Sequence, residues 1–315
     1  MKKSDKAKRI TQVYAKNLSI YKPETQSDIF VCPLLGKGIR YKNIADFSEM
    51  ISLAHIYPEA LGGKKYVVAS KVMNNMIGKD FEGHLSAHDK QNDWAVGQTP
   101  IKVNLDVEGK HLAADLWLKD GKNWNFVLVD KASDPRAIES MKNGLHNCPE
   151  GFNFNMRWVI ASERKKAVAY VQSGYLLAFR YFGYEYALYP SSSQLRSLWN
   201  EPIFIDQITK RSSFWFNPTQ STNTIDGYSL GVVTNGPARG LMLAVLPCFN
   251  KEGQSRGVLL PGFSEEPYSS WDDYINRLDS LDNGSKLTAD FIRMPEWEDL
   301  MADSYAFMGH RFWGA

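Results

Sequence analysis

The stretch Ala54–Ser86, AHIYPEALGGKKYVVASKVMNNMIGKDFEGHLS, decides how this chain is read. Pro58 and the Gly62-Gly63 pair punctuate its first third and predict a turn with extended flanks. KKYVVAS, residues 64–70, is rich in β-branched and aromatic residues and predicts a strand. From Lys71 to His84, Met73, Ile77 and Phe81 fall at four-residue steps, which predicts a helix with one apolar face. Just upstream, Asp28–Pro33 (DIFVCP) reads as a brief strand running into a turn, and residues 44–53 lead into Ala54. The order is strand, loop, strand, helix.

Outward from that core, residues 1–27 are polar and basic, a short helix or a loose arm. The Lys/Arg run at 2–9 reads as a solvated tail that adds non-specific phosphate affinity. Residues 85–98 read as a polar linker or loop. A β-meander follows: IKVNLDV and HLAADLWL alternate around Glu108-Gly109-Lys110, and WNFVLVD comes after the Asp120-Gly121 turn. PRAIESMKNGL predicts a helix ended by Gly144. The strongest helix spans 163–183, where Val168, Val171, Tyr175, Ala178, Phe179 and Phe182 recur at three- and four-residue steps, as in a core helix. Two or three strands over 227–262 and a helix over 269–281 complete the pattern. The expected organisation is a basic arm (1–27), a small module (28–95) and a larger mixed domain (96–315), an α+β architecture.

Composition narrows the class. Of 315 residues, 43% are hydrophobic and 23% charged, which is globular and not disordered. No apolar run approaches the roughly 20 residues of a bilayer span. The N-terminus lacks the apolar stretch of a signal peptide. The three cysteines, Cys32, Cys148 and Cys248, form neither a CxxC pair nor a disulfide framework. A cytoplasmic protein without a membrane partner is expected. Residues 1–95 carry 15 Lys/Arg against 10 Asp/Glu, and the rest 22 against 25. A basic front end on a near-neutral body suits occasional phosphate contact better than an extended nucleic-acid track.

The pattern H-x-x-P-x-x-L-G-G over His55–Gly63, then a strand, then N-N-x-x-G-x-x-x-E over Asn74–Glu82, resembles the HNH endonuclease family, the ββα-metal nucleases. Ser173–Tyr184 (SGYLLAFRYFGY) also resembles a helix found downstream of this nuclease type. The resemblance implies a module in which two short strands and a helix grip one divalent cation, Mg²⁺ or Mn²⁺, for hydrolysis of DNA. His55 takes the position of the general base, whose imidazole accepts a proton near neutral pH. Asn74, and secondarily Asn75, take the metal-facing position at the helix start. Lys64 and Lys65 follow the double glycine, where backbone phosphates would be met. Phage, mobile-element and host-defence settings are where such proteins occur, as the resemblance implies.

Three departures accompany the match. Where the family carries two zinc knuckles, Cys32-Pro33-Leu34-Leu35 keeps a single thiol and Ser70-Lys71-Val72-Met73 none, so no structural zinc is expected. Leu35 and Met73 are expected to supply apolar contact instead. Ala54 stands where many members place a metal-binding acid, and the region of the family's middle Asn holds Lys65 and Tyr66. Other readings of the same residues are simpler: Asn74-Asn75 as a helix opening, His84 and His88 as solvated surface, Trp297 and Phe312-Trp313 as packing. The chain therefore reads as a metal-dependent endonuclease whose larger domain supplies target choice or a protein partner. The alternatives are a catalytically degenerate DNA- or protein-binding scaffold, and an interaction protein with no nucleic-acid role.

Overall fold

The computed structural model describes residues 3–24, 29–41, 49–63, 65–107, 109–147, 154–158, 161–200, 213–216, 227–247, 255–263, 270–282 and 284–292. The architecture is α+β. Two compact units divide the chain: residues 1–83 with 163–315, and the inserted residues 84–162. This division differs from the expected boundary near residue 95, because the helix over 163–182 packs into the first unit.

In the first unit the N-terminal segment is an ordered helix, α1 (Lys3–Tyr21), not a loose arm. Ile10, Tyr14 and Leu18, at four-residue steps, are buried. Strands β1 (Ile29–Val31) and β2 (Gly38–Arg40) pair antiparallel around the turn Cys32–Lys37. Strands β3 (Ile51–His55) and β4 (Lys65–Ser70) form a second antiparallel pair, and helix α2 (Lys71–Ile77) packs on both. The strand–loop–strand–helix order is thus present. Met73, Ile77 and Phe81 are all buried, as their spacing requires. A five-residue π-helical turn, Gly78–Glu82, follows α2.

Helix α3 (Gly83–Ala95) replaces the expected polar linker over 85–98. Its sequence, GHLSAHDKQNDWA, has little apolar periodicity, so pattern alone could not find it. Leu85 is buried, and Trp94 packs against the core of the inserted unit. That unit is an antiparallel sheet ordered β7-β6-β5-β8, built from β5 (Ile101–Val107), β6 (Lys110–Lys119), β7 (Asn123–Leu128) and β8 (Asn155–Trp158). Helix α4 (Pro135–Asn147) runs beyond Gly144 and sets Ala137 and Met141 against Val103, Leu105 and Leu112.

Helix α5 (Glu163–Phe182) is the centre of the first unit. Nearly every residue from Lys166 onward is buried, which identifies a helix enclosed on all sides, not one with a single core-facing stripe. It packs on β4, on the π-helical turn, and on β9 (Ser213–Phe216), β11 (Met242–Pro247) and β12 (Ser255–Leu260). With β10 (Ser229–Val233) and β13 (Ala289–Ile292), these last strands form an antiparallel sheet ordered β13-β10-β11-β12-β9. Gly174 lets α5 approach that sheet; a Cβ there would meet Ala244 and Leu260 at 3.3 Å. Short helices α6 (Tyr184–Leu188), α7 (Pro190–Gln194) and α8 (Ser197–Asn200) follow, and α9 (Trp271–Asp279) is capped by Ser270, whose Oγ accepts from the Asp273 N–H. No helix among the described residues is long and apolar enough to cross a membrane.

The α5–α8 region fixes the β1–β2 turn by polar contacts. Tyr184 Oη donates to the Val31 carbonyl, Tyr175 Oη to that of Pro33 at 2.8 Å, and Trp199 Nε1 to that of Leu34 at 2.9 Å. Arg196 donates to Tyr175 Oη at 3.2 Å and lies against Gly36, where a Cβ would stand 2.8 Å from its Nε. Tyr175→Phe leaves the buried Pro33 carbonyl without its donor, and is expected to destabilise the first unit by about 1–3 kcal/mol. Tyr21→Phe, which loses a hydrogen bond to Glu185 from a 40% exposed ring, should cost less. Urea midpoints of the two variants check this, and equal midpoints would show that the turn does not depend on that donor.

Candidate functional site

His55 ends β3 at an irregularity in the ladder. Ala54 pairs with Val67, but His55 pairs with Lys65, so the register shifts between Ala54 and His55. Bulges of this kind re-aim a side chain at a strand end. The loop that follows is compact: Leu61 and Gly63 N–H groups both donate to the Pro58 carbonyl, and Gly62 takes a left-handed φ of 84°. Gly63 admits no side chain, since a Cβ would lie 1.7 Å from the Tyr57 carbonyl oxygen. The turn of 3₁₀ helix Glu59–Leu61 brings Glu59 back over the strand end. Its carboxylate oxygen lies 3.4 Å from His55 Nε2. The imidazole is 14% exposed and the carboxylate 72%, so the pair sits at the surface with the ring partly covered.

The loop is anchored from the other side by Tyr57. Its buried ring stacks on Tyr170 of α5, with centroids 6.5 Å apart and an interplanar angle of 23°. Arg256 of β12 places its guanidinium carbon 4.6 Å from the centre of the Tyr170 ring. A cation–aromatic–aromatic series therefore runs from the large sheet to a position two residues beyond His55.

Asn74 is half-buried and Asn75 exposed, on the first turns of α2. Their carbonyls accept from the Gly78 N–H, and neither side-chain amide makes a hydrogen bond among the described residues. Ser70 occupies the N-cap of α2 without a side-chain cap bond, and Asn74 and Asn75 lie within the helix, not at its opening. Lys64 lies outside the described residues, as do Cys148, Cys248, Trp297, Phe312 and Trp313; of Lys65 only the backbone pairing is described.

Cys32 is fully buried, and its Sγ accepts from the Ser70 N–H at 3.2 Å. The fold thus brings together the two segments that the sequence aligns with zinc knuckles. Burial pushes the Cys32 thiol up, so it remains a neutral thiol. Met73 is buried and Leu35 half-buried. His84 and His88 are half-buried with partners, not simply solvated: His84 Nδ1 accepts from the Ser162 N–H at 3.1 Å, and His88 Nδ1 lies 3.2 Å from Asn92 Nδ2.

No group of three or more His, Cys, Asp and Glu side chains able to hold a metal ion occurs among the described residues. Ala54, at the position of the family's acid, is fully buried and supplies no oxygen. The His55–Glu59 pair and the neutral amide of Asn74 on α2 are groups of this strand–strand–helix unit that carry a lone pair. Mg²⁺ prefers oxygen ligands, keeps several waters, and is commonly held by one or two carboxylates together with substrate phosphates. Among the described residues these groups do not by themselves make up a complete metal site.

Two features of the site lay outside the sequence reading. The His55–Glu59 pair carries a visible spacing of four, but only the 3₁₀ turn after Pro58 makes that spacing a contact. Glu82 matched the motif by position, yet its burial in the π-helical turn lifts its carboxyl to about 7.

That shift has a sign. The folded protein keeps the Glu82 proton up to about pH 7, while the unfolded chain releases it near 4.5, so this group favours folding at low pH and the benefit is lost between those values. Stability should fall by on the order of 2–3 kcal/mol from pH 4.5 to 7.5. In Glu82→Gln this component should be absent. Urea denaturation across that range checks it, and parallel pH profiles for the two proteins would contradict it.

Compared with known proteins, the chain matches no family model, no curated protein and no solved structure.

Proposed function

We propose that residues 28–95 include an HNH-like module and that the chain is a metal-dependent DNA endonuclease with His55 as general base. The observation that carries this reading is the His55–Glu59 pair at 3.4 Å, on a partly accessible ring at the bulged end of β3, within a strand–strand–helix unit. Two of its three elements, β3 and α2, hold the residues that the motif assigns to base and metal.

The chemistry asks little of the protein beyond placement. His55 removes a proton from a water held over the phosphorus, and Glu59 steadies the resulting imidazolium and the ring orientation. Asn74, with Asn75 next to it, offers the amide oxygen on the helix side. Lys64 and Lys65 meet backbone phosphates of the DNA. A Mg²⁺ or Mn²⁺ ion, when bound together with the substrate phosphate, supplies charge stabilisation at the phosphoryl oxygens. The inserted unit and the large sheet serve target choice or a protein partner, in a cytoplasmic setting without a membrane.

A second reading has its own support. The buried Ala54 and the missing three-ligand group among the described residues favour a module that binds DNA or protein without cutting. One experiment separates the two. Plasmid incubated with the purified chain and Mn²⁺ or Mg²⁺ should be nicked, EDTA should stop the nicking, and His55→Ala should reduce it by roughly 100-fold or more. A salt-sensitive gel shift with no nicking in either metal would replace the nuclease by the scaffold. Failure to bind at low salt removes any nucleic-acid role.

A further inference from the structure

In the first unit, between the β10–β11 turn and α9, lies a cleft of about 700 Å³ that no part of the nuclease reading uses. Its walls include Arg239, Arg277, Asn276, Pro237 and Leu241. The turn that forms one wall, Asn235–Gly240, is fixed by specific contacts. Asn235 Oδ1 accepts from the Thr288 N–H at 2.6 Å, and its amide donates to the Lys286 carbonyl at 3.0 Å. Gly240 has φ of 86°, and its carbonyl oxygen would stand 1.8 Å from a Cβ on Gly262, so the two backbones meet at a spacing only glycine allows.

The charges in the cleft are unequally committed. Arg277 Nε donates to Asp273 at 2.7 Å, and Nη1 donates to the Arg239 carbonyl, which pins this guanidinium to both walls. The exposed Arg239 guanidinium makes no hydrogen bond or ion pair among the described residues. Two guanidiniums and one carboxylate leave the lining one charge positive. A pinned cation loses little side-chain entropy when it binds, and a free planar fork matches phosphate oxygens two at a time. The exposed Pro237 adds apolar surface beside those donors, and the volume falls in the range of small-molecule sites.

We propose that this cleft binds a phosphate monoester of nucleotide size, with Arg239 as the direct anion contact and Arg277 as a fixed cation beside it. The same chemistry is offered by a free mononucleotide and by a 5′-phosphorylated DNA end. The inference stands apart from the His55 reading, because no residue is shared.

Calorimetric titration of the full chain tests it, with deoxyadenosine monophosphate, deoxyadenosine, and short duplexes with and without a 5′-phosphate as probes. A phosphorylated probe should bind saturably and its unphosphorylated counterpart should not. Arg239→Ala, at an exposed position, should weaken binding by about tenfold or more, with Arg239→Lys in between. His55→Ala should bind like the wild type. Binding of the mononucleotide identifies a free nucleotide as the source, and binding of the phosphorylated duplex alone identifies a DNA end. If neither phosphorylated probe binds, or if Arg239→Ala binds as tightly as the wild type, the site does not exist.

Discussion

The β1–β2 turn is buried from Cys32 to Leu34, and a buried turn must find partners for its own carbonyls. Here the partners are aromatic: Tyr184, Tyr175 and Trp199 donate to the carbonyls of Val31, Pro33 and Leu34. Much of the rest of the first unit is arranged to deliver those three side chains. Helix α5 must be enclosed on all sides to bring Tyr175 inward, and Gly183, with φ of 61°, must break it to turn Tyr184 toward the strand. Tyr184 is also held by its own backbone N–H, which donates to Asn17 Oδ1 of α1 at 2.7 Å, and by Tyr14, whose ring meets it edge-on with centroids 6.1 Å apart. The turn is held by these indole and phenol donors and by the Ser70 N–H that meets Cys32.

The β3–β4 hairpin likewise depends on the elements around it to hold a tightly closed loop. Strands β3 and β4 carry the Tyr57–Gly63 loop, whose close backbone contacts cost entropy and exclude side chains at Gly63. The compensation comes from outside the hairpin: α1 packs on both strands, α2 packs on their other contacts, and Tyr57 is clasped through Tyr170 and Arg256. Glu59 reaches His55 only because that loop is closed. The pairing of an exposed carboxylate with a partly covered imidazole contributes little to stability. Its consequence is positional: the Nε2 edge of the ring has a defined neighbour.

Legibility in the sequence followed how local the physics was. Periodicity located α2, α5 and the β-meander, because buried residues recur at fixed steps in each. It failed at α3, where GHLSAHDKQNDWA shows no apolar stripe and is ordered by Leu85, Trp94 and partners distant in sequence. It also treated residues 1–27 as a possible arm, since Ile10, Tyr14 and Leu18 are thinly spaced among lysines. The site was legible as a spacing: His55, Pro58 and the glycine pair could be marked. The closure of Glu59 on His55, the pKa of Glu82 and the Arg256 clasp depend on burial and on tertiary neighbours, which no spacing encodes. The cleft around Arg239 left no sequence trace, because its walls join residues 236–241, Gly262 and residues 273–280, which are distant in sequence.

The inserted unit raises a different constraint. A segment of 84–162 can interrupt a folded body only if its two ends leave and return at nearby points, since otherwise the host would be pulled apart at the junctions. The chain satisfies this by a direct clasp. The Ser162 N–H donates to His84 Nδ1 at 3.1 Å, and the Ala161 N–H donates to Gln91 Oε1 at 3.4 Å, so the last residues of the insertion are tied to its first helix. His84 is then a structural acceptor, which requires Nδ1 to be unprotonated. The departure point from the host is the π-helical turn Gly78–Glu82, a widened helical turn between the motif-bearing α2 and the insertion. The same five residues end the strand–strand–helix unit, bury Glu82 and launch a separate unit. A single widened turn therefore stands in the chain between α2 and the inserted unit, and it does so without lengthening the β3–β4 hairpin that carries His55.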